Sequence, residues 1–386
     1  MFQTCFLKGC VFLKKSFLTT LCALSLCVIF ILNGENLSEG IRKGLNLCSF
    51  SVIPALFPFM ALSVFICKSK TADFLSAVLK PVARILKVPD VCCGVFPVAI
   101  FGGYPAAAKC LSDLVSEKLL DQKNAAKMLC YCVNAGPPFL ISAIGIGIFG
   151  NIKIGFLLFA AQFLSSVIIA AAVSAFSKRT ENIGFPAEIR RKSNASCAVE
   201  SVISAAESCS RMCAFIIITY GVLEIVFNGA FFRLAFENPV LKALFSGFFE
   251  VTSGALSCGE IEGFNAVIIA GAVASFSGIS VILQIAAITE ESEIPLFPFV
   301  LSRFFHAGIT AGILRLFLSF FGEAVSVFSV KGGSYEAVLS ASAPAAVSLL
   351  CMAALFLLSI VPPKSEKEPL LSRFWNKINI FWHSQT

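Results

Sequence analysis

Ten stretches of this chain are apolar over lengths that span or nearly span a lipid bilayer, and that feature narrows its folding choices most. Eight are uninterrupted, at 17–33, 48–67, 129–149, 154–176, 213–232, 264–288, 299–321 and 345–361; two more, 91–111 and 241–258, carry Gly, Pro, Ser or Thr near their middles. In hydrocarbon every backbone N–H and C=O must find its partner inside the chain, and apolar runs of about 17 to 25 residues do so as helices. The side chains are 57% hydrophobic and 14% charged, with a mean hydropathy of +0.87, more apolar than a water-covered surface accepts. The expected fold class is all-α, a polytopic membrane helical bundle.

Charge placement orients it. Lys8, Lys14 and Lys15 precede the first run and hold the amino terminus on the cytoplasmic side. No small-residue cleavage pair follows that run, which therefore reads as an uncleaved span. If all ten segments crossed, the basic stretch 177–212, with Lys178, Arg179, Arg190, Arg191, Lys192 and Arg211, would face outward. If instead 91–111 and 241–258 are re-entrant or broken helical hairpins, that stretch, the carboxyl tail and most of the 30 Lys and Arg become cytoplasmic.

The hairpin arrangement implies inverted repeats. Segments 48–67, 129–149 and 154–176 form one set around the first hairpin, and 213–232, 264–288 and 299–321 another around the second. Three crossings is an odd number, so the second set lies upside down relative to the first. The domain reading is an amino-terminal helix and linker (1–47), a first repeat (48–176), a cytoplasmic basic loop (177–212), a second, inverted repeat (213–321) and a final helix with a basic tail (322–386).

Each interruption has local chemistry. Gly102-Gly103 allows a reversal, and Pro105 suits the first turn of a helix, so 101–104 reads as a hairpin tip that aims the positive end of a helix from Pro105 into the protein. Tyr104 adds an aromatic face there. Lys109, one turn along, either adds a full charge to that end or snorkels to the interface. Asn134-Ala135-Gly136-Pro137-Pro138 breaks the next span and frees carbonyls, beside an amide with two donors and an acceptor; a sealed proline kink is the plainer reading. In the second half Glu250 opens Glu250-Val251-Thr252-Ser253-Gly254, a carboxylate that membrane depth tolerates only with a partner or a polar cavity. Ser275, Ser277, Ser280 and Gln284 lie on the neighbouring span. Pro54 and Pro58 kink the span that opens the first repeat. Glu224 and Arg315 offer a structural ion pair, and His306 reads as a satisfied interface histidine.

Ile53-Pro54-Ala55-Leu56-Phe57-Pro58-Phe59, Gly103-Tyr104-Pro105 with Lys109, Asn134-Ala135-Gly136-Pro137, Glu250-Val251-Thr252-Ser253-Gly254, and Ser277-Gly278-Ile279-Ser280-Val281 with Gln284 resemble, in that order, the YlbJ-like sporulation integral membrane proteins of the nucleoside-recognition, or Gate-domain, family. The likeness runs from about residue 45 to 325, with small-residue departures at Ala107 and Ser277. It implies a transport role, the mother-cell or outer forespore membrane as location, and movement of dipicolinate.

The functional expectation is a secondary transporter of a small anionic metabolite, without covalent chemistry, and with Gly103, Tyr104, Pro105, Lys109, Asn134, Gly136, Glu250, Thr252, Ser277 and Gln284 around its substrate. A nucleoside or ion-coupled carrier is the nearest alternative. A non-transporting membrane partner, held by the basic loop and the Trp375/Trp382 tail, is another. No cofactor or metal is expected, since His306 and His383 are the two histidines and the 16 cysteines sit mostly in apolar runs without a CxxC pair. The expected partners are a small-molecule substrate and the lipid bilayer, with no nucleic acid; a coupling cation and a homo-oligomer are compatible with the same reading. Both termini are expected in the cytoplasm.

Overall fold

The computed structural model describes residues 20–68, 71–176, 194–229 and 235–321. The first 19 residues, most of the basic loop, and the final helix with its tail lie outside the described residues. Among those described, the secondary structure is helical throughout, with no strand. The chain is a multi-pass membrane protein: four helices are long and apolar enough to cross a bilayer, and a bent pair at the amino end brings the number to five.

Helix α1 (Thr20–Leu32) is exposed along nearly its whole length and meets α2 (Gly34–Leu47) at 92°. After a short π-helical stretch, Cys48–Val52, α3 (Ile53–Lys68) carries Pro58 in its interior. Then come α4 (Thr71–Ile85), the short α5 (Val95–Phe101), α6 (Gly103–Ser116) and α7 (Gln122–Cys132). Asp121 caps α7 by accepting the Asn124 N–H, so this helix begins before the apolar run that announced it. Past the Asn-Gly-Pro-Pro break the chain winds as a π-helix, Pro138–Ile148, and continues into α8 (Ile152–Ala175).

The second half opens with α9 (Asn194–Asn228), a 35-residue helix. It starts inside the stretch expected to be loop up to residue 212. Helix α10 (Pro239–Phe249) and α11 (Val251–Ser257) follow, then α12 (Phe264–Phe276), α13 (Gly278–Thr289) and α14 (Phe297–Phe321).

The order of elements repeats. A span (α3, α9) is followed by a pair of short helices broken at one point (α5–α6, α10–α11), a broken span (α7 with Pro138–Ile148, α12–α13) and a continuous span (α8, α14). Contacts between the two sets come in reciprocal pairs. Helix α3 meets α9 and α8 meets α14; α7 meets α14 while α12 meets α8; α6 meets α13 while α11 meets Pro138–Ile148. A self-complementary interface produces such pairs.

Small residues permit the close approaches. A Cβ at Gly145 would lie 2.5 Å from the Gly155 Cα, and one at Gly40 would lie 2.5 Å from the Tyr220 carbonyl oxygen, so α8 and α9 lie close on their neighbours. Phe156, Phe163 and Val167 on α8 and Phe304, Phe305 and Leu316 on α14 stay exposed, as side chains facing lipid do.

Candidate functional site

The four breaks pair up within each half. In the first, Gly102 separates α5 from α6 with no side-chain cap on the α6 amino end, and Gly103 has φ of +72°. Gly136, in the break after α7, packs on this point: a Cβ there would sit 3.2 Å from the Phe101 oxygen and 3.3 Å from the Gly103 nitrogen. In the second half Glu250 separates α10 from α11, and Gly247 and Gly254 back directly onto each other, so these two helices form a hairpin. Gly278, with φ of +79°, meets it in the same way, its Cβ position 3.1 Å from the Gly247 oxygen and 3.2 Å from the Val251 nitrogen. In both halves a glycine of the broken span lets two irregular backbones touch.

The breaks that end α7 and α12 free carbonyls that apolar surroundings would penalise, and the structure supplies donors for them from both the same half and the opposite one. At the end of α12, Ala274 O accepts the Tyr104 hydroxyl at 2.5 Å, Ser275 O faces His306 Nδ1 at 3.4 Å, and the Ser277 hydroxyl turns back to Phe276 O. At the end of α7, Arg303 Nη1 donates to Val133 O at 2.7 Å and Nη2 to Cys130 O, while Asn134 Nδ2 donates to Tyr131 O at 2.8 Å. A first-half tyrosine thus closes the second half's break, and a second-half arginine closes the first half's.

Between the breaks lies a narrow cavity of about 30 Å³, lined by Gly103, Tyr104, Pro105, Gly136, Glu250, Thr252 and Gln284, with Phe59, Phe139 and Met212 among its apolar walls. Glu250 is buried, and its two carboxylate oxygens accept the Thr252 N–H at 2.9 Å and the Ser253 N–H at 2.6 Å, capping α11. A larger, mostly apolar cavity of about 160 Å³ adjoins it, sharing Leu56, Phe139 and Thr252.

Seven of the ten residues singled out in the sequence therefore surround one space. Three do not. Lys109 is exposed and pairs with Asp113 at 2.9 Å, the i,i+4 ion pair that Asp113 made legible in the sequence. Ser277 is buried behind the cavity with its hydroxyl spent on the preceding carbonyl. Asn134 faces a different cavity, behind α5 and α7. Glu224 does not pair with Arg315: its carboxylate accepts from Lys43 at 2.9 Å and from Asn228, and Arg315 is exposed. His306 is fully buried in the interior, with Ser166 Oγ 3.1 Å from its Nε2.

Arg303 and Gln162 escaped the sequence reading. Gln162 is a lone long polar side chain in an otherwise apolar span, which was the available signal, whereas Arg303 shares its span with His306 and Arg315. Arg303 is fully buried and, among the described residues, has no carboxylate within ion-pair distance; it stacks on Phe299 at 4.9 Å. Among the described residues no cluster of His, Cys, Asp or Glu could hold a metal ion.

No family model and no solved structure matches this chain. Among curated proteins it is similar to the sporulation integral membrane protein YlbJ of Bacillus subtilis (strain 168), 24% identical over 314 residues that cover 72% of this chain and 77% of that protein.

Proposed function

We propose that this YlbJ-like membrane protein is a secondary transporter of a small anionic metabolite, dipicolinate in a spore-forming cell, moved between two oppositely oriented halves. The observation that carries the reading is the central cavity, where interrupted helices of both halves converge. Irregular backbone at membrane depth is tolerated where it is buried in protein or lines a polar passage, and transporters of inverted repeats place their sites there. The reciprocal contacts between the two sets are those a pseudo-twofold relation would give, and the three crossings per set expected from hydropathy would make that relation an inversion.

The chemistry suits an anion with a flat face. The uncapped amino end of the 14-residue α6 opens at Gly103 and Tyr104, offering N–H groups and a positive dipole end. Tyr104 presents its ring, and Gln284 and Thr252 add polar groups. Glu250 would repel an anion, but both its oxygens are engaged by the α11 amino end, which offsets much of its charge. A cavity of about 30 Å³ admits no more than a few waters, so this is a closed conformation, and loading requires α6 and α11 to part. The ordered motif likeness to Gate-domain proteins supports the same role, without covalent chemistry, in the membranes that surround a developing spore.

The test is uptake by sealed vesicles containing the purified chain, with labelled dipicolinate and labelled uridine in parallel. Saturable dipicolinate uptake, lowered at least tenfold by Thr252→Trp, is the expected result. Uptake of uridine alone would move the assignment to a nucleoside carrier, and uptake of neither to a non-transporting partner.

A further inference from the structure

The cavity behind α5 and α7 is separate from the central one and has a volume of about 200 Å³. Phe96, Tyr131, Phe159 and Phe163 are prominent in its wall, and Asn134 and Gln162 are its two amides. Gln162 is 2% exposed, yet neither its Nε2 nor its Oε1 has a hydrogen-bond partner; Asn134 spends its nitrogen on Tyr131 O and leaves Oδ1 buried and unpartnered. Ser166, also at the wall, is already engaged with the Gln162 carbonyl at 3.0 Å and with His306. Buried amide groups left without partners are rare in native proteins, and a wholly unpartnered Gln162 beside the unpartnered Asn134 Oδ1 at one cavity calls for a common partner.

The wall decides what that partner is. None of the lining side chains is charged, so an ion entering here would lose its hydration without a counter-charge. The unpartnered set, an acceptor on Asn134 and a donor with an acceptor on Gln162, matches a neutral head that both donates and accepts. Val82, Phe163 and Val167 line the cavity and are also exposed, so it opens to the outer surface beside α8, a helix apolar enough to cross a bilayer, and access is from that side. We infer that this cavity is a second binding site, for a neutral, membrane-partitioned molecule with a hydroxyl or amide head and a short apolar body. The inference does not depend on the transport reading, because none of its residues lines the central cavity.

Photolabelling tests it directly. The full chain in lipid nanodiscs is irradiated with azioctanol, a diazirine-bearing alcohol, and in parallel with azioctane, its hydroxyl-free counterpart, and adducts are mapped by mass spectrometry. The site predicts azioctanol adducts within 131–135 and 159–170, suppressed at least fivefold by excess octanol but not by octane. Gln162→Leu should lower azioctanol labelling there at least fivefold and leave azioctane labelling unchanged, with Gln162→Met as the alternative if the leucine variant folds poorly. Equal labelling by the two probes, no protection by octanol in the unaltered chain, or adducts placed elsewhere would each overturn the proposal.

Discussion

Arg303 buries a full positive charge, and what it contributes is two N–H donors to carbonyls that the break after Cys132 leaves free. Replacing it by methionine keeps the bulk and removes both bonds, which should cost about 2–5 kcal/mol, since Val133 O loses its donor and Cys130 O keeps only the longer bond from Ser302 Oγ at 3.4 Å. Tyr104→Phe deletes a single bond to Ala274 and should cost about 1–2 kcal/mol. Unfolding in detergent, followed by intrinsic fluorescence or thiol exposure, checks both, and the account requires the arginine variant to be the weaker. Glu250 offers a second contrast. Glu250→Gln retains an acceptor for the α11 amino end, whereas Glu250→Ala removes the cap and should cost about 1 kcal/mol more in the same assay. The Arg303 and Tyr104 partnerships were hidden in the sequence because each joins residues far apart along the chain. Glu250 itself was legible as a carboxylate that needed a partner, although not as a cap. Lys109, read either as a charge at the α6 end or as a snorkelling side chain, is exposed and paired with Asp113, outside the lining of the central cavity.

At the level of helices, most of the interruptions were legible and the helix ends were not. Gly102-Gly103, Asn134 to Pro138 and Glu250 break helices where residue chemistry indicates, the first two through a glycine with φ above +70° or a proline that lacks a donor, whereas the break at Ser277-Gly278 falls inside a run that reads as uninterrupted. Helix α9 runs back to Asn194 through residues that hydropathy assigned to loop, and the buried Cys197, Ser201, Ala205 and Cys209, four apart, give that extension a packed face. The glycine contacts make a sharp comparison. Gly254→Ala would place a methyl 2.3 Å from the Gly247 Cα, forcing the α10–α11 hairpin apart, and should cost about 3 kcal/mol or abolish the folded yield. Gly308→Ala, on α14 with open space around it, should leave stability unchanged or raise it slightly. Thermal scans of the two variants measure the difference.

For the molecule as a whole, the account rests on two similar sets of helices meeting at their breaks, each closing the other's unpaired backbone and together enclosing a narrow space. Parity of crossings remains an expectation from hydropathy and charge, whereas the reciprocal packing of α7 with α14 and α12 with α8 appears only in three dimensions. The most direct test places a cysteine at Thr252, on the wall of the central cavity, and measures its reaction with a membrane-impermeant thiol reagent from each side, relative to the unsubstituted chain. The account predicts reaction from at least one side, slowed when dipicolinate is present, as expected of a site that opens. A cysteine there that stays unreactive from both sides, with and without dipicolinate, would contradict it.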